Sequence, residues 1–143
     1  MMTNKSNLER FVTAQQQDYA IALAEVTRGR KRSHWMWYIF PQVRGLGFSG
    51  MAEMYAISDL LEAGDYLRHP ILGPRLIEIC EALLNQKNNN ASEVFGSPDD
   101  LKLRSSMTLF AEVEGTHPVF SQVLERFYGG KKDAKTLALL AQK

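Results

Sequence analysis

Two stretches of this 143-residue chain gather side chains that can do chemistry. The first, residues 28–50, reads RGRKRSHWMWYIFPQVRGLGFSG, with Arg28, Arg30, Lys31 and Arg32 crowded together, then Ser33 and His34, then Trp35, Trp37, Tyr38 and Phe40. Aromatic rings beside polar groups can wall a site for a flat heterocycle, with an indole N–H or His34 making a directed hydrogen bond. The plainer reading is a central core element, because aromatic side chains bury large areas. Both hold if one ring faces the core and another a pocket, and Trp35 and Trp37, about 200° apart on a helix, cannot share a face. Gly45, Gly47 and Gly50 follow, and glycines let a backbone approach a phosphate that Arg44 could pair with. Their spacing matches neither the Walker nor the dinucleotide fingerprint and no strand precedes them, so a tight loop is the favoured reading. The basic run reads for the most part as a solvated helix end facing the negative dipole, with phosphate binding as the alternative.

The second stretch is SPDDLKLRSSM at residues 97–107. Asp99 and Asp100 fall on a helix start, and helical spacing sets Asp100 against Arg104 as an i,i+4 pair. Surface capping plus a salt bridge is the plain account. The sharper one sends a carboxylate and Lys102 or Arg104 into a cleft walled by the aromatic segment. The candidates are therefore Asp99 and Asp100 for catalysis, and His34, Trp35, Trp37, Gln42, Arg44, Lys102 and Arg104 for ligand binding. His34, His69 and His117 have no i, i+3 or i, i+4 relation, so no metal site is expected. Cys80, the single cysteine, lies in an apolar stripe and reads as a buried, inert thiol. Nothing in the sequence calls for a cofactor.

The elements that must position these groups follow the helical period. Asp18 could cap a helix with Tyr19, Ala22, Leu23 and Val26 inward and Gly29 at its end. Residues 70–86 repeat the pattern at Leu72, Leu76, Ile79, Cys80 and Leu83. Ser97, with Pro98 at the first helical position, opens a helix carrying Leu103, Met107, Phe110 and Ala111 and stopping near Gly115. Pro118 opens another, with Phe120, Val123, Leu124 and Phe127 in register and Gly129-Gly130 after it. Asp133 begins a short last helix with Leu137 and Leu140. In the aromatic segment Ser33 could cap a helix of about seven residues closed by Pro41. A short strand over residues 37–40 is the other option, limited by Pro41. The expected fold is mainly α, a single compact domain over residues 1–143 with seven or eight helices and at most a minor β element. Residues 1–6 and the polar run 86–90 are the expected disordered parts.

Composition narrows the class. Apolar residues make 45% and charged ones 23%, the profile of a globular domain. The absence of a long apolar run speaks against a membrane span, and a polar start carries no secretion signal, so a cytoplasmic protein is expected. The formal net charge of +1 makes nucleic acid an improbable partner.

The string S-H-W-M-W-Y-I-F-P-Q-x-x-G-L-G at 33–47 is long and rich in rare residues. It resembles the signature of a bacterial family of unknown function whose members sometimes carry the label calpastatin. Residues 55–58 (YAIS), 62–76 (EAGDYLRHPILGPRL) and 95–110 (FGSPDDLKLRSSMTLF) look like the same family. A calpain inhibitor would be a disordered polar chain, whereas this one is patterned to bury a helical core. The family is in turn similar to the YbiA-like superfamily, which includes the NADAR proteins. That resemblance implies a mostly helical fold and chemistry at N-glycosidic bonds of ADP-ribose-type or riboflavin-precursor nucleotides, through an oxocarbenium-like transition state. Such a site needs a carboxylate, an aromatic face and cations for phosphate. Where the superfamily places a glutamate directly before the histidine, this chain has Ser33, so no catalytic glutamate carries over and Glu53 and Glu62 have no motif behind them. Three readings follow: an N-glycosidase-like hydrolase of a nucleotide or ADP-ribose-type ligand, a module that binds such a ligand without cleaving it, and a protein-interaction domain. The sequence does not fix the oligomeric state.

Overall fold

The computed structural model describes residues 7–143. Residues 1–6, expected to be disordered, lie outside the described residues. Among those described, the chain forms nine helices and no sheet: α1 (Glu9–Arg28), α2 (Met36–Ile39), α3 (Gly50–Met54), α4 (Leu60–Arg68), α5 (Leu72–Leu84), α6 (Ala91–Phe95), α7 (Asp99–Ala111), α8 (Val119–Tyr128) and α9 (Ala134–Ala141). Helices α2, α3 and α6 have only four or five residues, too few for a 3.6-residue period to show. The minor β element is a lone parallel bridge between Val43 and Ile57. It is closed by the Ile57 N–H donating to the Gln42 carbonyl at 2.9 Å and the Arg44 N–H to the Ile57 carbonyl at 2.8 Å.

Several boundaries differ from the periodic reading. Asp18 is no cap: α1 starts more than two turns earlier, at Glu9, because Phe11, Val12 and Gln15 extend the buried stripe backwards. Gly29 does end α1, in the left-handed conformation (φ 83°) that favours glycine. Ser33 does not cap α2. Trp35 stands at that position, and the Ser33 hydroxyl is engaged elsewhere. Pro98 occupies the N-cap of α7 rather than its first turn, and the helix stops at Ala111. The polar run 86–90 is tied down: Gln86 Nε2 donates to the Val26 and Thr27 carbonyls at 2.7 and 2.6 Å, and Asn90 caps α6 through the Glu93 N–H.

One apolar cluster joins these elements. Helix α5 packs against α1, α4 and α8, while α7 packs against α4, α6, α8 and α9. Leu103 and the unbroken stretch Ser105–Phe110 of α7 are buried, so this helix has no solvent face along its second half. Two of the three hydroxyls there return to the helix itself, while the buried Ser106 hydroxyl has no partner. Ser105 Oγ donates to the Leu101 carbonyl at 3.2 Å, and Thr108 Oγ1 to the Arg104 carbonyl at 2.8 Å. At the start of α4, Asp59 accepts the Glu62 N–H at 2.9 Å and Glu62 accepts the Ser58 N–H at 2.8 Å, a reciprocal cap that also places Glu62 3.6 Å from Arg10. Glu62 is thereby a structural carboxylate.

Helices α4 and α5 meet at Gly73, where a Cβ would lie 2.1 Å from the Leu67 carbonyl oxygen. Backbone cannot yield as a side-chain tip can, so Gly73→Ala is expected to lower the urea-unfolding free energy by roughly 3 kcal/mol or more. Gly50→Ala, whose Cβ would meet nothing within 4 Å, should leave it unchanged or raise it slightly. Equal effects at the two positions would show that α4 and α5 are not in backbone contact.

Candidate functional site

Glu25, one turn from the end of α1, is 4% exposed. A carboxylate near the negative pole of a helix is unfavourable, and burial adds to the cost. Four donors offset both. Glu25 Oε1 accepts the N–H groups of Arg32 (2.9 Å) and Ser33 (3.0 Å) and the Trp35 indole Nε1–H (2.9 Å), and Oε2 accepts the Ser33 hydroxyl at 2.6 Å. Burial pushes the carboxyl upward, but hydrogen bonds from Ser33, Arg32 and Trp35 outweigh it and hold the pKa at about 2. The same bonds fix the course of residues 32–35 and draw the Trp35 ring into the core, where it meets Phe40 and Phe95.

The aromatic segment and the start of α7 are brought together by an electrostatic chain. Lys31 Nζ lies 5.0 Å from the Trp35 ring centroid, donates to the Ser33 carbonyl at 2.6 Å and is 2.9 Å from Asp99 Oδ2. Lys102 Nζ is 3.4 Å from Asp99 Oδ1 and 5.5 Å from the Trp37 ring centroid. One carboxylate thus holds two ammonium groups, each set over a tryptophan. Of the candidates read from the sequence, Trp37, Lys102 and Asp99 gather here. Trp35 shows no ring face to solvent, being 0% exposed, while Trp37 is half-buried.

The others are placed differently. Arg104 does not pair with Asp100: it donates from Nε and Nη2 to the Lys131 and Lys132 carbonyls, both at 3.0 Å. Asp100 is left with no side-chain partner, and its Oδ1 is buried. His34 is exposed, and its carbonyl accepts from Tyr38 at 3.3 Å. Arg44 is exposed and reaches the Glu53 carbonyl at 3.4 Å, and Gln42 contributes its backbone to the Val43–Ile57 bridge. Gly45 turns the loop with φ 109°, while Gly50 is already the first residue of α3.

A second polar network joins α1, α2, α4 and α5. Gln15 Nε2 donates to the Tyr38 carbonyl (2.8 Å) and to the Tyr66 hydroxyl (3.0 Å), and Arg75 donates to Gln15 Oε1 at 3.4 Å. The Tyr38 hydroxyl donates to Asp18 and the Tyr19 hydroxyl to Glu78. Burial first, then the neighbouring carboxylate, pushes both phenols up, so they remain donors. Burial, and then Glu81, likewise pushes up the Cys80 thiol, in keeping with an inert group. Among the described residues no three His, Cys, Asp or Glu side chains gather to hold a metal ion, and no helix is long and apolar enough to cross a membrane.

Two clefts flank α6. One, of about 670 Å³, runs between the end of α1 and α6, and its lining includes Arg28, Arg30, Lys31, Ser92, Glu93 and Phe95. The other, of about 440 Å³, includes Asn89, Asn90, Ser92, Asp100, Phe127 and Tyr128. Ser92 belongs to both. Glu25, Ser92 and Glu93 were not legible as site residues. The basic run was the signal for Arg28 and Arg30, read there mainly as a solvated helix end.

The family model described as a protein of unknown function (DUF1810) matches residues 5–140. The chain belongs to this family. A solved structure, the conserved hypothetical protein Rv1873 from Mycobacterium tuberculosis, is 50% identical to it, covering 94% of this chain and 96% of the other with a TM-score of 0.92. No curated protein matches the chain. The signature at residues 33–47 thus lies in a DUF1810 domain, and the mainly helical fold is shared with a solved structure.

The Glu25 cluster makes this DUF1810 fold acid-sensitive. The folded carboxyl sits below its ordinary 4.5, so its stabilisation is complete above about pH 4.5 and is lost as pH falls towards about 2. The loss should approach roughly 3 kcal/mol in urea titrations between pH 6 and 2. Glu25→Gln should be less stable at pH 6 and show a shallower decline. An identical pH slope in the variant would remove Glu25 from that role.

Proposed function

We propose that the cleft between α1 and α6 binds a phosphorylated, nucleotide-type ligand without cleaving it. The observation that carries this reading is a cleft of about 670 Å³ with Arg28 and Arg30 in its lining, both exposed and, among the described residues, engaged in no side-chain hydrogen bond or ion pair. Guanidinium groups suit phosphate through paired N–H donors, and two of them match the charge of a diphosphate. Lys31 is spent on Asp99 and the Ser33 carbonyl, so it shapes the wall rather than meeting the ligand. Phe95 is only 5% exposed and Trp35 wholly buried, so affinity rests on charge more than on stacking. Glu93 belongs to the same wall and accepts from Asn88 at 2.9 Å, a fixed negative charge that limits how far phosphate can move towards α6. The resemblance to nucleotide-acting helical proteins supports the same ligand class.

A second reading, hydrolysis of an N-glycosidic bond, is favoured by Asp100. Asp99 is held by two ammonium groups, whereas Asp100 has no side-chain partner and lines the adjoining cleft.

Thermal unfolding with ADP and ADP-ribose, coupled to chromatography of the mixtures, separates these readings. Ligand at 100 times Kd should stabilise the protein by about 2.7 kcal/mol and yield no product. The double variant Arg28→Glu/Arg30→Glu should weaken binding at least tenfold, about 1.4 kcal/mol, with its own folding unchanged. Stabilisation that survives the double reversal would overturn the reading. Released adenine, abolished by Asp100→Asn, would replace binding with hydrolysis.

A further inference from the structure

Five of the eight large apolar side chains exposed among the described residues fall within residues 48–61: Phe48, Met51, Met54, Leu60 and Leu61. Single exposed apolar side chains are ordinary on a monomer, whereas a cluster marks a surface that meets something. Helix α3 stands at its centre and has no buried residue. A five-residue helix does not form on its own in water, and burial of one face is what normally holds it. Here polar contacts to the backbone take that part. The Ser49 hydroxyl accepts the Ala52 N–H at 3.1 Å, Arg10 Nε donates to the Met54 carbonyl at 2.8 Å, and Arg44 Nη1 donates to the Glu53 carbonyl at 3.4 Å. Ala52 faces the loop before α3, since a Cβ at Gly47 would lie 2.8 Å from its own. Met51 and Met54 sit about 100° and 160° around the helix from Ala52, one turn apart on the open side. The Arg10 guanidinium is also 3.6 Å from Glu62 Oε2, so the first turn of α4, with Leu61 70% exposed, adjoins the end of α3, with Met54 56% exposed. Phe48, just before α3, is 76% exposed.

These side chains expose on the order of 500 Å² between them, which is what an apolar share of about 65% in a homodimer face of about 800 Å² requires. The rim decides what covers it. Arg44 is exposed with one N–H on the Glu53 carbonyl, and the exposed Glu53 carboxylate has no hydrogen-bond or ionic partner among the described residues. Arg10 is spent on the Met54 and Ala56 carbonyls and on Glu62. One free cation beside one free anion exerts no net pull on an anionic lipid surface or on a partner charged with a single sign. The two complement themselves, because a two-fold rotation can set each guanidinium against the other copy's carboxylate. We propose that a second copy of this chain docks on α3 about a two-fold axis, covering Phe48, Met51, Met54 and Leu61, with Arg44 of each copy facing Glu53 of the other. This association is independent of the ligand reading above, since none of these residues lines either cleft flanking α6.

Sedimentation velocity of the full chain from about 1 to 300 µM tests it, with folding of each variant read from its circular dichroism and urea midpoint. Wild-type protein should pass from monomer to dimer with a Kd of micromolar order. Met54→Glu should be monomeric throughout. Phe48→Ser, outside any helix, should weaken association at least tenfold and serves where Met54→Glu fails to fold. Glu53→Arg should weaken it at least tenfold by opposing two cations, and Arg44→Glu/Glu53→Arg should restore it to within threefold of wild type. A wild-type chain that stays monomeric at the highest concentration overturns the proposal, as does a dimer that Phe48→Ser leaves intact. A double reversal as weak as Glu53→Arg overturns the charge pairing and with it the two-fold docking. Flotation of the wild-type chain with phosphatidylcholine–phosphatidylglycerol vesicles, lost in Phe48→Ser, would assign this face to a membrane instead.

Discussion

Glu25 occupies the worst end of a helix for a carboxylate, and it is tolerated there because four donors from residues 32–35 converge on its two oxygens. The constraint works in both directions. The donors need an acceptor as much as the buried charge needs donors, so the chain leaving α1 has one satisfactory path. That path turns the Trp35 indole inward, places Phe40 and Phe95 against it, and sets Lys31 where its ammonium can lie over the ring. Changing the acceptor would release a segment whose backbone and side chain are both committed to it.

From that anchor the charges propagate outward. Lys31 reaches Asp99, Asp99 reaches Lys102, and Lys102 covers Trp37, so helices far apart in sequence are joined by alternating charges and rings. Ion pairs at this depth contribute modestly to net stability, because desolvation offsets their attraction, but a broken pair leaves an uncompensated charge. The chain therefore specifies geometry more than it stabilises. It also explains why the most conspicuous chemical groups do not form an open binding wall: each is satisfied by another. Less conspicuous charged groups beside them are left without a side-chain partner among the described residues, the arginines at the end of α1 and the second aspartate of α7.

Much of this was legible in the sequence where the signal is local and repeated. The stripe Leu72, Leu76, Ile79, Cys80 and Leu83 and the cap at Asp133 are where the helical period and capping chemistry put them. The gathering of the aromatic segment with the start of α7 was legible only as chemistry seeking a partner, yet Lys102 does lie over Trp37. What failed to show depends on competition between partners. Asp100 and Arg104 have ideal helical spacing, but the guanidinium finds two carbonyls after α8, fixed acceptors that require no second flexible side chain to be ordered. Glu25 carries no motif, because two of its four donors are backbone N–H groups, which every residue but proline has. Arg28 and Arg30 looked like a helix end and are one. Their relation to a cleft depends on α6, a five-residue helix too short to announce itself.

Helix α6 is accordingly the element on which the two clefts depend, and its attachment is asymmetric. Its inner side is held by Val94 and Phe95 in the core and by the Lys31 N–H donating to the Val94 carbonyl at 2.7 Å. Its outer side is held by small polar contacts, Asn88 and Asn90 to Glu93, all exposed. Three of its five residues, Ala91, Val94 and Phe95, are buried, so α6 is anchored firmly on one side and only by surface contacts on the other. The Lys31 backbone bond ties α6 to the residue that also organises the tryptophans, so the wall shared by the two clefts lies one hydrogen bond from the chain of charges and rings.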